Sequence, residues 1–157
     1  MKKELETQLT EKYPQIFVRN ESNRLEPYAM FGVECGDGWY DLLNHLCSQI
    51  QHHTDWSNQQ RAERLADNPH NLSIPDEVAQ VTVTQVKEKF GTLRFYYDGG
   101  DECIDGMVRM AESMSSVICE VCGDRARPRG RGWWYTACEQ HTRPEDLVTE
   151  QEEEEPK

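Results

Sequence analysis

An α+β fold is predicted by three features of the chain. Three stretches carry apolar residues at helical spacing, one stretch alternates around a short turn, and Cys119-x-x-Cys122 and Cys138-x-x-His141 form two hooks at metal-ligand spacing. The expected architecture is a set of N-terminal helices, an antiparallel β-hairpin packed on a helix, a C-terminal zinc ribbon and a disordered acidic tail. The expected division is an α+β body over 1–118, a ribbon over 119–143 packed on that body, and a tail over 144–157.

Residues 3–13 place Leu5, Leu9 and Tyr13 on one helical stripe, and Pro14 ends it, because proline lacks an N–H and crowds the preceding turn. Ile16, Phe17 and Val18 make a short apolar run, followed by a polar link from Arg19 to Glu26. The period of Pro27–Val33 does not separate strand from loop. Gly36-Asp37-Gly38 reads as a turn, with Asp37 as the cap of the next helix. There Trp39, Leu42, Leu43, Leu46, Cys47 and Ile50 form one core-facing stripe. Residues 51–69 are polar, and Trp56, Ala62, Leu65 and Ala66 support at most a second, solvent-facing helix. His52, His53 and His70 have no cysteine or carboxylate at a ligand spacing and read as surface or helix-end residues.

Beyond Pro75, Val81, Val83 and Gln85 alternate with Thr82, Thr84 and Val86. Lys89-Phe90-Gly91-Thr92 turns the chain, and Leu93, Phe95 and Tyr97 resume the alternation, which predicts an antiparallel hairpin with one buried face. Asp101 can cap the helix that follows, whose positive end suits Glu102 and Asp105. Ile104, Met107, Val108, Ala111, Met114 and Ile118 make its stripe. Methionines at this spacing serve either as core or as an adaptable partner-binding groove.

A tetrahedral zinc ion needs about four soft or borderline donors, and each two-residue spacer lets one tight turn aim two of them at a single point. Cys119, Cys122, Cys138 and His141 would fill the tetrahedron and leave no position for water or substrate, so the ion is expected to be structural. Gly123 sits where such a turn needs positive φ. Reduced, partly buried side chains and a Cys119–Cys122 disulfide are the alternatives. Cys35, Cys47 and Cys103 remain as ordinary thiols, in keeping with a reducing compartment.

Between the hooks lie Arg125, Arg127, Arg129 and Arg131, alternating with small residues, then Trp133, Trp134 and Tyr135. Guanidinium forks and flat rings suit either a partner protein or nucleic acid. The plainer reading is a short hairpin with Trp133 or Trp134 covering the metal. Charge is uneven: residues 1–118 hold eleven Lys/Arg against nineteen Asp/Glu, 119–143 hold five against three, and 144–157 hold one against seven. An overall charge of −12 repels phosphate backbones at long range, so a protein partner is the first expectation and nucleic acid the second. No run approaches the length of a membrane span, and a cytoplasmic protein without a membrane partner is expected.

The segments Glu34-Cys35-Gly36-Asp37-Gly38-Trp39-Tyr40-Asp41-Leu42-Leu43 and Val86-Lys87-Glu88-Lys89-Phe90-Gly91-Thr92-Leu93-Arg94-Phe95-Tyr96, followed by the Cys-x-x-Cys to Cys-x-x-His segment, resemble small proteins of tailed phages and prophages. The resemblance spans roughly Tyr13 to His141. It implies a metal-binding phage accessory protein in the host bacterial cytoplasm and implies no reaction.

The chain has no phosphate-cradling glycine loop, nucleophile elbow or His-Glu-x-x-His helix. Metal nucleases with paired Cys-x-x-Cys motifs place a histidine between the pairs, and residues 123–137 contain none. The sequence therefore points to a non-catalytic zinc protein that binds a host protein, of defence or of nucleic-acid processing. A nucleic-acid-binding ribbon is the alternative and a metal-dependent enzyme the lesser one.

Overall fold

The stripe from Trp39 to Ile50 sits on a helix far longer than its apolar half requires. A computed structural model, describing residues 1–19 and 25–147, shows α3 running unbroken from Tyr40 to Asp67. Leu43, Leu46, Cys47 and Ile50 are buried, as their spacing requires. The polar stretch expected as a separate helix is the second half of the same one. Hydrogen bonds hold it there in place of apolar packing. The Asn58 amide donates to Val78 O and accepts from Val78 N, both at 2.9 Å, and Arg61 Nε donates to Pro75 O at 3.0 Å.

Before α3, α1 (Lys3–Lys12) ends at Tyr13, ahead of Pro14 as expected. The ambiguous run splits into α2 (Pro27–Phe31), a glycine hinge at Gly32 with φ 74°, and β1 (Val33–Glu34). Asp37 does not cap α3. It opens a 3-10 turn, Asp37–Trp39, and its carboxylate accepts Lys2 N at 2.7 Å and pairs with Lys2 Nζ at 3.0 Å. These donors, the Lys2 backbone N–H first, hold the carboxyl below its usual range.

The predicted hairpin is β2 (Ala79–Lys89) against β3 (Thr92–Gly100), and β1 adds a third strand parallel to β2, with Val33 opposite Val86 and Glu34 opposite Lys87. The β2–β3 register slips between Val83 and Gln85, a bulge that turns Val86 to the buried face beside Val81 and Val83, where strict alternation would put Gln85. Near the bulge, Val83 N donates to Ile16 O at 2.9 Å. Helices α3 and α4 (Glu102–Ser115) cover the apolar face.

On the outer side of β3, α4 supplies acceptors. Leu93 N donates to Ser115 Oγ at 2.9 Å and Phe95 N to Glu112 Oε1 at 3.0 Å, which closes part of an edge that would otherwise seek another strand. Asp101 caps α4 as expected, accepting Ile104 N at 3.0 Å, and its other oxygen lies 2.8 Å from His53 Nε2.

Beyond α4, β4 (Arg127–Arg129) pairs with β5 (Tyr135–Ala137) in antiparallel register. Residues 144–147, expected within a disordered tail, are helical instead, and Asp146 accepts the Tyr135 hydroxyl at 2.7 Å. The rest of that tail, residues 148–157, lies outside the described residues.

Candidate metal centre

The sequence brings each pair of ligands together by a tight turn. In the first, Gly123 N donates to Cys119 O at 2.8 Å and Cys119 N to Asp124 O at 2.7 Å, a reversal that holds Gly123 at φ 84°. In the second, Glu139–His141 is a 3-10 turn, with His141 N donating to Cys138 O at 3.2 Å and Thr142 Oγ1 to the same carbonyl at 2.8 Å.

The β4–β5 pair closes the interval, and the ligand atoms of Cys119, Cys122, Cys138 and His141 all lie within 4.8 Å of one another. Cys122 Sγ is 3.7 Å from Cys138 Sγ, and His141 Nδ1 is 3.7 Å from Cys119 Sγ and 3.1 Å from Cys138 Sγ. An ion with bonds of about 2.3 Å to sulfur at tetrahedral angles sets its sulfurs about 3.8 Å apart. The donor set and its spacing therefore fit a metal ion. All six cysteines are free thiols, so the Cys119–Cys122 disulfide is not formed.

Electrostatics prepares one thiol in particular. Burial opposes the Cys119 thiolate, but backbone N–H groups of Cys138, Cys122 and Val121 override it and bring the thiol down to about 7. At Cys122 the Asp124 N–H favours the thiolate, yet desolvation and the Cys119, Cys138 and Asp124 side chains outweigh it and push the thiol up to about 12. Cys119 thus loses its proton more readily than Cys122.

The first hook is seated on the body. Gly38 N donates to Glu120 O at 2.8 Å, and Gly36 N to Glu120 Oε1 at 2.8 Å. Burial raises the Glu120 carboxyl, with the Gly36 donor opposing. A Cβ at Gly38 would lie 2.1 Å from Cys119 O and 2.4 Å from Gly123 N, and one at Gly36 would lie 2.2 Å from Glu120 O. Glycine is required at both because backbone meets backbone there. Read from sequence as a turn, Gly36-Asp37-Gly38 is the seat of the ligand loop. Its signal was the glycine pair itself, one more than a turn needs.

The second contact runs through the β2–β3 turn. Thr136 Oγ1 donates to Gly91 O at 2.5 Å, and a Cβ at Gly91 would sit 3.1 Å from the Tyr135 backbone. Lys89 pairs with Thr92, leaving Phe90 and Gly91 as a two-residue loop, both with positive φ (55° and 78°). Such turns favour Asn-Gly, and a bulky aromatic at the first position is an outlier. Phe90 is also 70% exposed and lines one cleft with Trp133 (74% exposed) and Trp134 (49%).

Neither tryptophan covers the ligand cluster. Ala126, Tyr135 and Ala137 pack on it instead. Of the arginines singled out in the sequence, Arg125, Arg127 and Arg131 are exposed, whereas Arg129 is 4% exposed and its Nε donates to Ala137 O at 3.0 Å. Arg129 thus braces the hairpin from within. Among the described residues, no other group of three or more His, Cys, Asp or Glu side chains gathers at metal-binding distance, and no helix is long and apolar enough to cross a membrane.

No family model, curated protein or solved structure matches the chain.

Proposed function

We propose that the protein is a non-catalytic binding protein whose C-terminal segment is a zinc ribbon, with Cys119, Cys122, Cys138 and His141 as ligands of a structural ion. Three thiolates and one imidazole complete a tetrahedron, which leaves the ion no position for a substrate. Its work is mechanical. It locks the β4–β5 hairpin to the Gly36–Gly38 seat and to the β2–β3 turn.

The observation that carries the binding role is Phe90. Phe90 is a residue that the turn disfavours and that stands 70% exposed, and strain retained at an exposed site is a mark of function. Phe90, Trp133 and Trp134, flanked by the exposed Arg131, have the composition of a protein-binding hot spot. The partner in this reading is a host protein, and the phage or prophage setting in a bacterial cytoplasm rests on the resemblance of the three ordered motifs.

A second reading, single-stranded nucleic acid, is favoured by the same rings together with Arg125, Arg127 and Arg131. The overall charge of −12 weighs against it.

Elemental analysis of protein purified without chelator should find one zinc per chain. A host protein retained by the wild type should be lost with Phe90→Asn and with Trp133→Ala/Trp134→Ala. Salt-sensitive binding of labelled oligonucleotides, lost when Arg125, Arg127 and Arg131 are replaced, would replace the first reading by the second.

A further inference from the structure

The methionines of α4 bear on a surface that shares no lining residue with the aromatic cleft. Sequence left them between core and groove. Met107 is partly buried, but Met110 is 66% exposed and Met114 46%. With Leu42, Leu46, Ala111 and Ile118 they line an open furrow of about 530 Å³ between α3 and α4.

We propose that this furrow docks a short amphipathic helix of a partner protein, with an apolar face and basic flanks. Its shape favours a helix, because the walls are two helices and the space between them is a groove into which a third can pack. Its length is set by Asp41 to Gln49 on one side and Met107 to Met114 on the other, about 12 Å or two to three turns at 1.5 Å per residue. Methionine suits such a site because its unbranched, polarisable chain conforms to the apolar residues it meets.

Charge selects basic flanks. Asp41 and His45 are the ionisable residues lining the furrow, neither Lys nor Arg lines it, and residues 1–118 as a whole, which supply its walls, hold nineteen acidic against eleven basic side chains. A second copy of this chain is disfavoured for the same reason, since each brings a charge of −12.

The test uses a fluorescent fourteen-residue Leu/Lys peptide with apolar residues at helical spacing, a scrambled peptide of the same composition, and a Leu/Glu counterpart. The full chain should bind the first, weakly or not at all the other two. The double variant Met110→Lys/Met114→Lys, whose positions are exposed and whose melting should match the wild type, should weaken binding about tenfold or more. Met110→Leu should leave it intact, and Trp133→Ala/Trp134→Ala should not change it, which separates this site from the aromatic tip. Equal binding of the scrambled or Leu/Glu peptide would overturn the proposal. So would indifference to the lysine substitutions, or a concentration-dependent dimer in sedimentation that Met110→Lys dissolves.

Discussion

The indole Nε1 of Trp39 donates to the carbonyl oxygen of Ile118 at 2.9 Å, one residue before Cys119. Trp39 is fully buried, so the body holds this segment by a bond whose donor is shielded from solvent. With Gly38 N on Glu120 O, it ties the candidate metal centre to the core.

Substitution at the seat should therefore act on the metal. Gly38→Ala pushes a methyl into the Cys119 carbonyl and the Gly123 amide, with an expected loss of roughly 1–3 kcal/mol and weaker zinc retention against a chromophoric chelator. Gly106→Ala is the contrasting case. It lies within α4 with nothing near its Cβ position, and it should raise stability by about 0.5–1 kcal/mol without altering zinc affinity.

Removal of the ion should loosen more than the hairpin. Chelation, or Cys138→Ser, is expected to lower Tm by on the order of 10 °C, reflecting several kcal/mol at about 2–4 °C each in a chain of this size. Hydrogen exchange should rise at the Gly38 amide, which donates to Glu120 O across the two parts, and at the Glu120 amide, which donates to Thr136 O. An unchanged melt after complete metal removal would refute a structural ion.

Phe90→Asn places in the turn the residue its geometry favours. A gain of about 1 kcal/mol is expected, read as a rise of about 2–4 °C in Tm, together with loss of partner binding. Destabilisation by this substitution would mean that Phe90 serves the fold after all.

Acid should weaken the α4 cap in a defined direction. Desolvation opposes the Asp101 carboxylate, but the His53 contact and the Ile104 N–H outweigh it and lower its pKa in the folded state. A depressed carboxylate contributes stability above its unfolded pKa and loses it as pH falls through the folded value. Asp101→Ala should thus cost about 1 kcal/mol near neutral pH, with the difference from wild type vanishing below the carboxylate range. Denaturant melts of both proteins from pH 7 to 2 measure it.

Local chemistry was legible in the chain. The stripe on α3, the hairpin, the Asp101 cap and each of the two Cys/His pairs follow from residues close in sequence, whose spacing determines which side chains share a face or a turn. The polar half of α3 was less so, because Asn58 and Arg61 hold it by bonds to Val78 and Pro75, a relation that periodicity does not encode.

By itself, the sequence determined the apolar stripe of α3, the β2–β3 hairpin, the Asp101 cap and the Cys/His set that clusters, since these arise from short-range sterics and residue spacing. Tertiary structure alone decided that Gly36 and Gly38 receive the ligand loop, that Val86 rather than Gln85 enters the core, that Arg129 is buried, and that Phe90 meets Trp133 and Trp134 at one cleft. Each of these depends on residues distant in the chain coming into contact, and such contacts are set by how whole elements pack.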